Sequence, residues 1–292
     1  MKRRDWKSLL KDRAQRILIP FIFGVFCICP ISTYIAIKYY GTWGEIGVFY
    51  VPNPGHLWFL FNIFSYVVLL LPLLCYLKNR PDNKVCHFLS KTFRHPAGLY
   101  ILSVPFVVEA LLIRPEYFEA YAYSSHGFWL GMVCFLVGFV VVHLGEIFWC
   151  AVQRLRLVAL GLAFSLYLTR LLVFSMDGPH VLTAFESMNW MLAILGYGSL
   201  YLNRPSASLT YLSEAVYPVY IVHMPVQFFF SYYLMPTNIP AVAKLILLLG
   251  ATLGTSLLLY EFIVKRVKWA RPLFGMKLPS HFAYTFKIAG AR

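Results

Sequence analysis

Charge is scarce in this sequence. Charged residues fill 13% of its 292 positions and hydrophobic residues 60%, where soluble domains carry about 25% charged residues. That scarcity excludes an ordinary soluble domain and implies a polytopic membrane protein. Metal and redox signatures are also missing. The six cysteines (27, 29, 75, 86, 134 and 150) stand singly or as Cys-x-Cys, never at a zinc or redox spacing. Most lie in or beside apolar runs, where cysteine behaves as a small hydrophobe. The eight histidines are scattered, and none pair at the i, i+4 spacing of a helical zinc site. No metal and no permanently bound cofactor is expected. A cleavable signal peptide is not expected either, because the start is charged and the first apolar run begins late. No soluble domain, internal repeat or low-complexity tract is left over.

What is present is a basic excess, a net charge of +14. Nucleic acid is one partner that such a charge suggests, but the positions of the cations argue for a membrane instead. Eight apolar runs are expected to span: Ile17–Tyr39, Leu57–Leu77, Ala97–Ile113, Gly127–Trp149, Leu155–Phe174, Thr183–Leu202, Leu209–Leu234 and Ile239–Val264. Runs of about 17 to 26 residues suit a hydrocarbon core of about 30 Å. Of the 26 lysines and arginines, 22 fall in the first segment, in alternate loops or in the tail. The positive-inside rule then places both termini in the cytoplasm. The expected fold is an all-α transmembrane bundle. It forms a single membrane-embedded domain over residues 1–292, with a basic N-terminal segment (1–16) and a basic tail (265–292).

One span differs in kind from the others. The stretch Tyr211–Pro225 reads YLSEAVYPVYIVHMP and sets Glu214, His223, Pro218, Pro225 and three tyrosines into an apolar helix. An ionisable group in hydrocarbon costs about 2.5 to 3.5 kcal/mol on insertion scales, and proline frees backbone carbonyls that need partners in protein or a wet cavity. A polar cavity beside this helix is therefore expected. Placed by depth at 1.5 Å per residue, His56, Glu109, Arg170, Glu186 and His223 share the outer half. Glu214, Glu261, His143 and Glu146 lie in the inner half. Bland readings accompany most of these. His56 sits at a Trp-rich boundary of the aromatic-belt kind. Glu109 and Arg170 are expected to pair and hold two spans together, Glu186 to snorkel, His143 and Glu146 to be structural, and Glu261 to pair with Lys265 one turn on. Arg13 and Arg16, at i and i+3, share a helix face. They can present a fork to one phosphate group of a cytoplasmic donor, or simply bind anionic headgroups.

Four stretches, in order, resemble one family. They are KDRAQRILIPFIFG, HLWFLFNIFSYVVLLLPLL, LNRPSASLTYLSEAVYPVYIVHMPV and RPLFGMK, running from about residue 5 to residue 278. They resemble the Arg-x-x-Arg, His-Leu-Trp-Phe-Leu, Tyr-Pro-x-Tyr-x-x-His-x-Pro and closing Arg-Pro-Leu-Phe-Gly motifs of the membrane acyltransferase 3 family, in the branch that includes glucans biosynthesis protein C. The resemblance implies transfer of an acyl group, acetyl or succinyl, from cytoplasmic acyl-coenzyme A to a sugar hydroxyl on the other side of a bacterial inner membrane. It implies that Arg13 and Arg16 bind the donor and that His56, Glu214 and His223 form the polar site, with Trp58 beside His56 as a further substrate-binding residue. The partners implied are the bilayer, the acyl-coenzyme A co-substrate and a carbohydrate acceptor, with no nucleic acid. The family's opening helix, with Arg and a histidine eleven residues later, and the span that follows it are not found in these residues. About ten spans are usual, so a miscalled start or a truncated member is the expectation.

Acyl transfer to an alcohol needs a general base, and histidine suits it. His223 is expected to act as acid/base or positioning residue, Glu214 as its orienting or gating partner, and Arg170 or Tyr220 as an oxyanion donor. Glu214 and His223 lie nine residues apart, about 13 Å along a helix, which argues against a direct dyad. Two other classes stay open. One is a transporter or exporter, whose Pro-broken helices look alike but which the lack of an internal repeat disfavours. The other is a non-catalytic, truncated member that binds a donor or partner; a polybasic scaffold is its blandest form.

Overall fold

The computed structural model describes residues 6–41, 50–79 and 83–276. Part of the expected basic termini and loops, at 1–5, 42–49, 80–82 and 277–292, lies outside the described residues.

Nine helices account for the architecture, and no strand occurs among the described residues. They are α1 (Trp6–Tyr40), α2 (Trp58–Asn79), α3 (Lys84–Thr92), α4 (Pro96–Ile113), α5 (Ser125–Leu144), α6 (Glu146–Phe174), α7 (His180–Tyr197), α8 (Ala207–Leu234) and α9 (Ala241–Val264). Six are long and apolar enough to cross a membrane: α1, α2 with its entry turn (Gly55–Leu77), α4, α5, α6 and α9. The helices expected as sixth and seventh spans, α7 and α8, are continuous over 18 and 28 residues. Glu186 and Asn189 in α7, and Glu214 with several tyrosines in α8, dilute their apolar character. Apolar side chains facing outward fit a lipid surround: on α9, Val242, Leu249 and Leu253 are all exposed.

The basic N-terminal segment is helical from Trp6 and continuous with the first span, α1 running unbroken through Arg16 to Tyr40. One expected boundary moves. The break between the fourth and fifth spans falls at Gly145 rather than at 150–154, so Arg154 and Arg156 lie inside α6. Gly145 takes φ 58°, ψ −126°, a region that a side chain resists, whereas nothing in 150–154 interrupts a helix. The basic loop after α2 contains α3, which starts where the Asn83 side chain accepts a hydrogen bond from the Cys86 N–H at 2.9 Å.

Prolines shape α1. Pro20 and Pro30 cannot donate to the carbonyls four residues back, which are those of Arg16 and Phe26. Two π turns, Ala14–Leu18 and Gly24–Ile28, precede them. Both freed carbonyls find tyrosines: the Tyr217 hydroxyl donates to the Arg16 carbonyl at 2.9 Å and the Tyr50 hydroxyl to the Phe26 carbonyl at 2.6 Å. The helix thus stays continuous while its broken ladder is repaired from outside.

The chain forms two compact units, one of Met1–Phe64 with Ser206–Arg292 and one of Ser65–Pro205. In the first, Leu57, Leu60, Ile221, Tyr260 and Phe274 are among the buried core. In the second, α6 and α7 pack along small residues. Ala151, Ala159 and Ala163 on α6 and Ala184 and Ala193 on α7 are all buried, which lets the backbones approach closely.

Candidate active site

The first unit brings His56, Tyr220 and His223 together. His56 lies in a 3-10 turn, Gly55–Leu57, that leads into α2. Gly55 is required there. Its φ is +45°, and a Cβ would stand 2.9 Å from Cys29 Sγ on α1. The Cys29 thiol donates to the Pro54 carbonyl at 3.4 Å, tying the turn to α1. The turn aims His56 at α8. His56 Nε2 lies 3.0 Å from the Tyr220 carbonyl, and the Tyr220 hydroxyl donates back to the His56 carbonyl at 2.7 Å. His223, one turn further along α8, places Nδ1 2.7 Å from the same Tyr220 carbonyl. The two imidazoles meet edge to face, 5.0 Å between centroids.

These contacts fix tautomers. A carbonyl oxygen only accepts, so the nitrogen facing it must carry the proton. His56 is protonated at Nε2 and His223 at Nδ1. In the neutral rings, His223 Nε2 and His56 Nδ1 keep their lone pairs. Pro225 helps explain why the polar groups gather here. It removes the N–H that the Ile221 carbonyl, next to the Tyr220 carbonyl, would receive.

The remaining expected site residues are dispersed. Trp58 opens α2 two residues after His56, with its ring against Phe59 at 5.9 Å. Glu214 is exposed on α8, nine residues before His223 on the same continuous helix, about 13 Å along its axis. Arg13 is exposed, and Arg16 Nε is paired with Asp12 at 3.3 Å. The π turn Ala14–Leu18 lies between the two arginines. It widens the helix, so they share a face less closely than in a regular i, i+3 pair. Arg16 is positioned through its backbone by Tyr217, a role that spacing did not indicate. Tyr217 is in turn covered by Gly275, at φ +69°, where a Cβ would also come within 2.8 Å of the Arg16 carbonyl. Tyr220 spends its hydroxyl proton on His56.

Arg170 belongs to the second unit, and its expected partner is corrected there. Glu109 and Arg170 do not pair. Arg170 Nε donates to Glu186 Oε2 at 2.7 Å and Nη2 donates to Oε1 at 3.2 Å. Glu186 does not snorkel, since its side chain is 5% exposed and it also accepts from the Trp190 indole at 3.4 Å. Glu109 instead meets His126, a histidine that sequence reasoning passed over, at 2.8 Å between Oε1 and Nδ1. His126 Nε2 faces the Phe118 carbonyl at 3.1 Å and so carries a proton; one further proton sits in the Glu109 bridge. Tyr121 stacks on His126 at 5.5 Å. Burial pushes its hydroxyl pKa upward, with Glu119 adding to the effect. The expected Glu261–Lys265 pair is found at 3.0 Å, and hydrogen bonding to Glu261 raises the Lys265 pKa.

A family model described as an acyltransferase domain, Acyl_transf_3, matches residues 1–261. No curated protein and no solved structure matches the chain.

Proposed function

Because the chain belongs to the acyltransferase 3 family, we propose that it moves an acetyl or succinyl group from cytoplasmic acyl-coenzyme A to a hydroxyl of an extracytoplasmic carbohydrate, such as a glucan. The proposed setting is a bacterial inner membrane, with eight spans and both termini in the cytoplasm. The cation distribution supports that orientation, since even without Arg154 and Arg156, which lie inside α6, 20 of the 26 lysines and arginines fall on one side of such a topology.

The observation that carries the reading is the pair of histidines on the Tyr220 carbonyl. With Nδ1 donating to that carbonyl, His223 Nε2 is left as a fixed base. In the proposed step it takes the proton of the acceptor hydroxyl. The acceptor oxygen bonds to the thioester carbon, the carbon–sulfur bond breaks, and the proton passes to the departing thiolate. His56 holds the same carbonyl from the other side and keeps the geometry. Arg13 and Arg16 face the donor's phosphates at the start of α1. Tyr217, bonded to Arg16, lies six residues from His223, about 9 Å of helix rise, a gap for an extended thioester arm to cross. At the opposite end of α1, a small open pocket of about 130 Å³ is lined in part by Tyr39, Tyr40, Tyr232 and Ser231. Aromatic faces with hydroxyl rims suit a sugar ring.

The test is acyl transfer by the full chain in sealed vesicles, with labelled acetyl- or succinyl-coenzyme A on one side and a glucan on the other. Label should appear on the glucan with wild type and not with His223→Ala. Movement of glycan across the vesicle wall with no covalent label would support a transporter instead. Coenzyme A binding with no turnover would support a non-catalytic member.

A further inference from the structure

The 3-10 turn Arg271–Phe274 follows α9 and folds back onto the start of α1. Phe274 packs edge to face on Phe23 at 5.5 Å, and Gly275 abuts Tyr217 and the Arg16 carbonyl. The turn is therefore fixed beside Arg16. It carries an arginine whose Nε–H is buried and has no hydrogen-bond partner. Arg156 Nε shares that condition, but its guanidinium also donates to the Gln153 carbonyl and lies over the Tyr197 ring. Among the described residues, no such contact engages Arg271. A buried donor on a charged group is costly to leave unmet, and a guanidinium calls for a planar or tetrahedral oxyanion.

Among the described residues, no acidic side chain pairs with Arg271. At this end of the first unit the described cations are Lys7, Lys11, Arg13, Arg16, Lys265, Arg266, Lys268 and Arg271. The acids are Asp12, Glu214 and Glu261. Asp12 is engaged by Arg16, and Glu261 by Lys265, so among the described residues this end carries a basic excess.

We propose that Arg271 is a phosphoryl-binding residue, forming with Arg16 and Arg13 a site for the phosphate of a bound molecule. Arg271 lies beyond the matched residues 1–261, so the family match does not assign it. Two sources offer this chemistry, a nucleotide donor such as coenzyme A and an anionic lipid headgroup. The choice of coenzyme A rests on the acyl-transfer reading.

The two sources are separated by binding of free coenzyme A to the full chain in nanodiscs of neutral lipid, measured by calorimetry. Arg271→Gln should weaken binding about tenfold, and Arg271→Lys, which keeps charge but not the fork, should fall between. If coenzyme A affinity is unchanged while Arg271→Gln loses phosphatidylglycerol retained through purification, the phosphoryl group is a lipid headgroup. Unchanged affinity together with unchanged lipid retention overturns the inference. Arg271→Lys guards against misfolding, since its melting point should match wild type. Because binding of free coenzyme A needs no turnover, failure of the acyl-transfer reading would show separately, as a wild type that binds but does not transfer.

Discussion

Tyr220 and His56 hold each other through two hydrogen bonds. The Tyr220 carbonyl accepts from His56 Nε2 at 3.0 Å, and the Tyr220 hydroxyl donates to the His56 carbonyl at 2.7 Å. The pair joins the entry turn of α2 to the middle of α8. Tyr220→Phe leaves the carbonyl in place and removes only the returning bond. Stability should fall by about 1 kcal/mol, read as a lower melting temperature in detergent. If the pair positions the site, kcat should fall several-fold with little change in KM for the donor.

His223 and His56 share one acceptor, so they are expected to act as a unit. His223→Ala should lower the transfer rate about 10²- to 10⁴-fold, the range for loss of a general base. His56→Ala should cost less. The double variant should be little worse than His223→Ala alone, because each removal disturbs the same carbonyl. Rates of the four proteins at saturating donor test this. Strictly multiplicative losses would show that the histidines work independently.

Some of this arrangement was legible in the residues. Two prolines and an imidazole within one apolar run announced freed carbonyls and a polar partner, and His223 lies among them. The hub is the Tyr220 backbone carbonyl, an atom that every residue has, so its selection appears only when α8 and the His56 turn meet. Glu109 had two basic groups at comparable depth, Arg170 and His126, and depth along a helix does not say which faces it. The Arg13–Arg16 fork rested on regular helix spacing. Pro20 was visible, but the π turn that accommodates it changes which residues share a face. The fold was easier to read. Long apolar runs specify helices with little help from tertiary context, and the errors fell where a single glycine, Gly145, decided the break.

Arg170 and Glu186 make the second unit depend on a buried ion pair, with side chains 10% and 5% exposed. Removing one partner leaves a desolvated charge. Arg170→Ala or Glu186→Ala should each cost about 3 to 5 kcal/mol. An apolar double replacement, Arg170→Met with Glu186→Leu, should recover most of that loss, because the desolvation cost disappears with both charges. Melting temperatures of the three variants give the answer. A double variant as unstable as the singles added together would mean the pair contributes more than charge compensation.

Gly55 offers a test of how the His56 turn is held. Two separate obstacles meet at this position, a φ of +45° and the Cys29 sulfur 2.9 Å from where a Cβ would lie. A non-glycine residue in the left-handed region costs about 1 to 3 kcal/mol, and overpacking adds about 1 to 3 kcal/mol. Gly55→Ala should therefore destabilise strongly and displace His56 from the Tyr220 carbonyl. Cys29→Ala removes the sulfur, the closest contact, while the Cβ of residue 29 at 3.2 Å and Asn53 Oδ1 at 3.3 Å remain, so in its presence Gly55→Ala should lose less stability but still more than the conformational part. The double variant should thus melt above Gly55→Ala but below Cys29→Ala. If Cys29→Ala gives no rescue, the sulfur is not what sets the requirement for glycine. Complete rescue would mean that contact with α1 is the whole constraint.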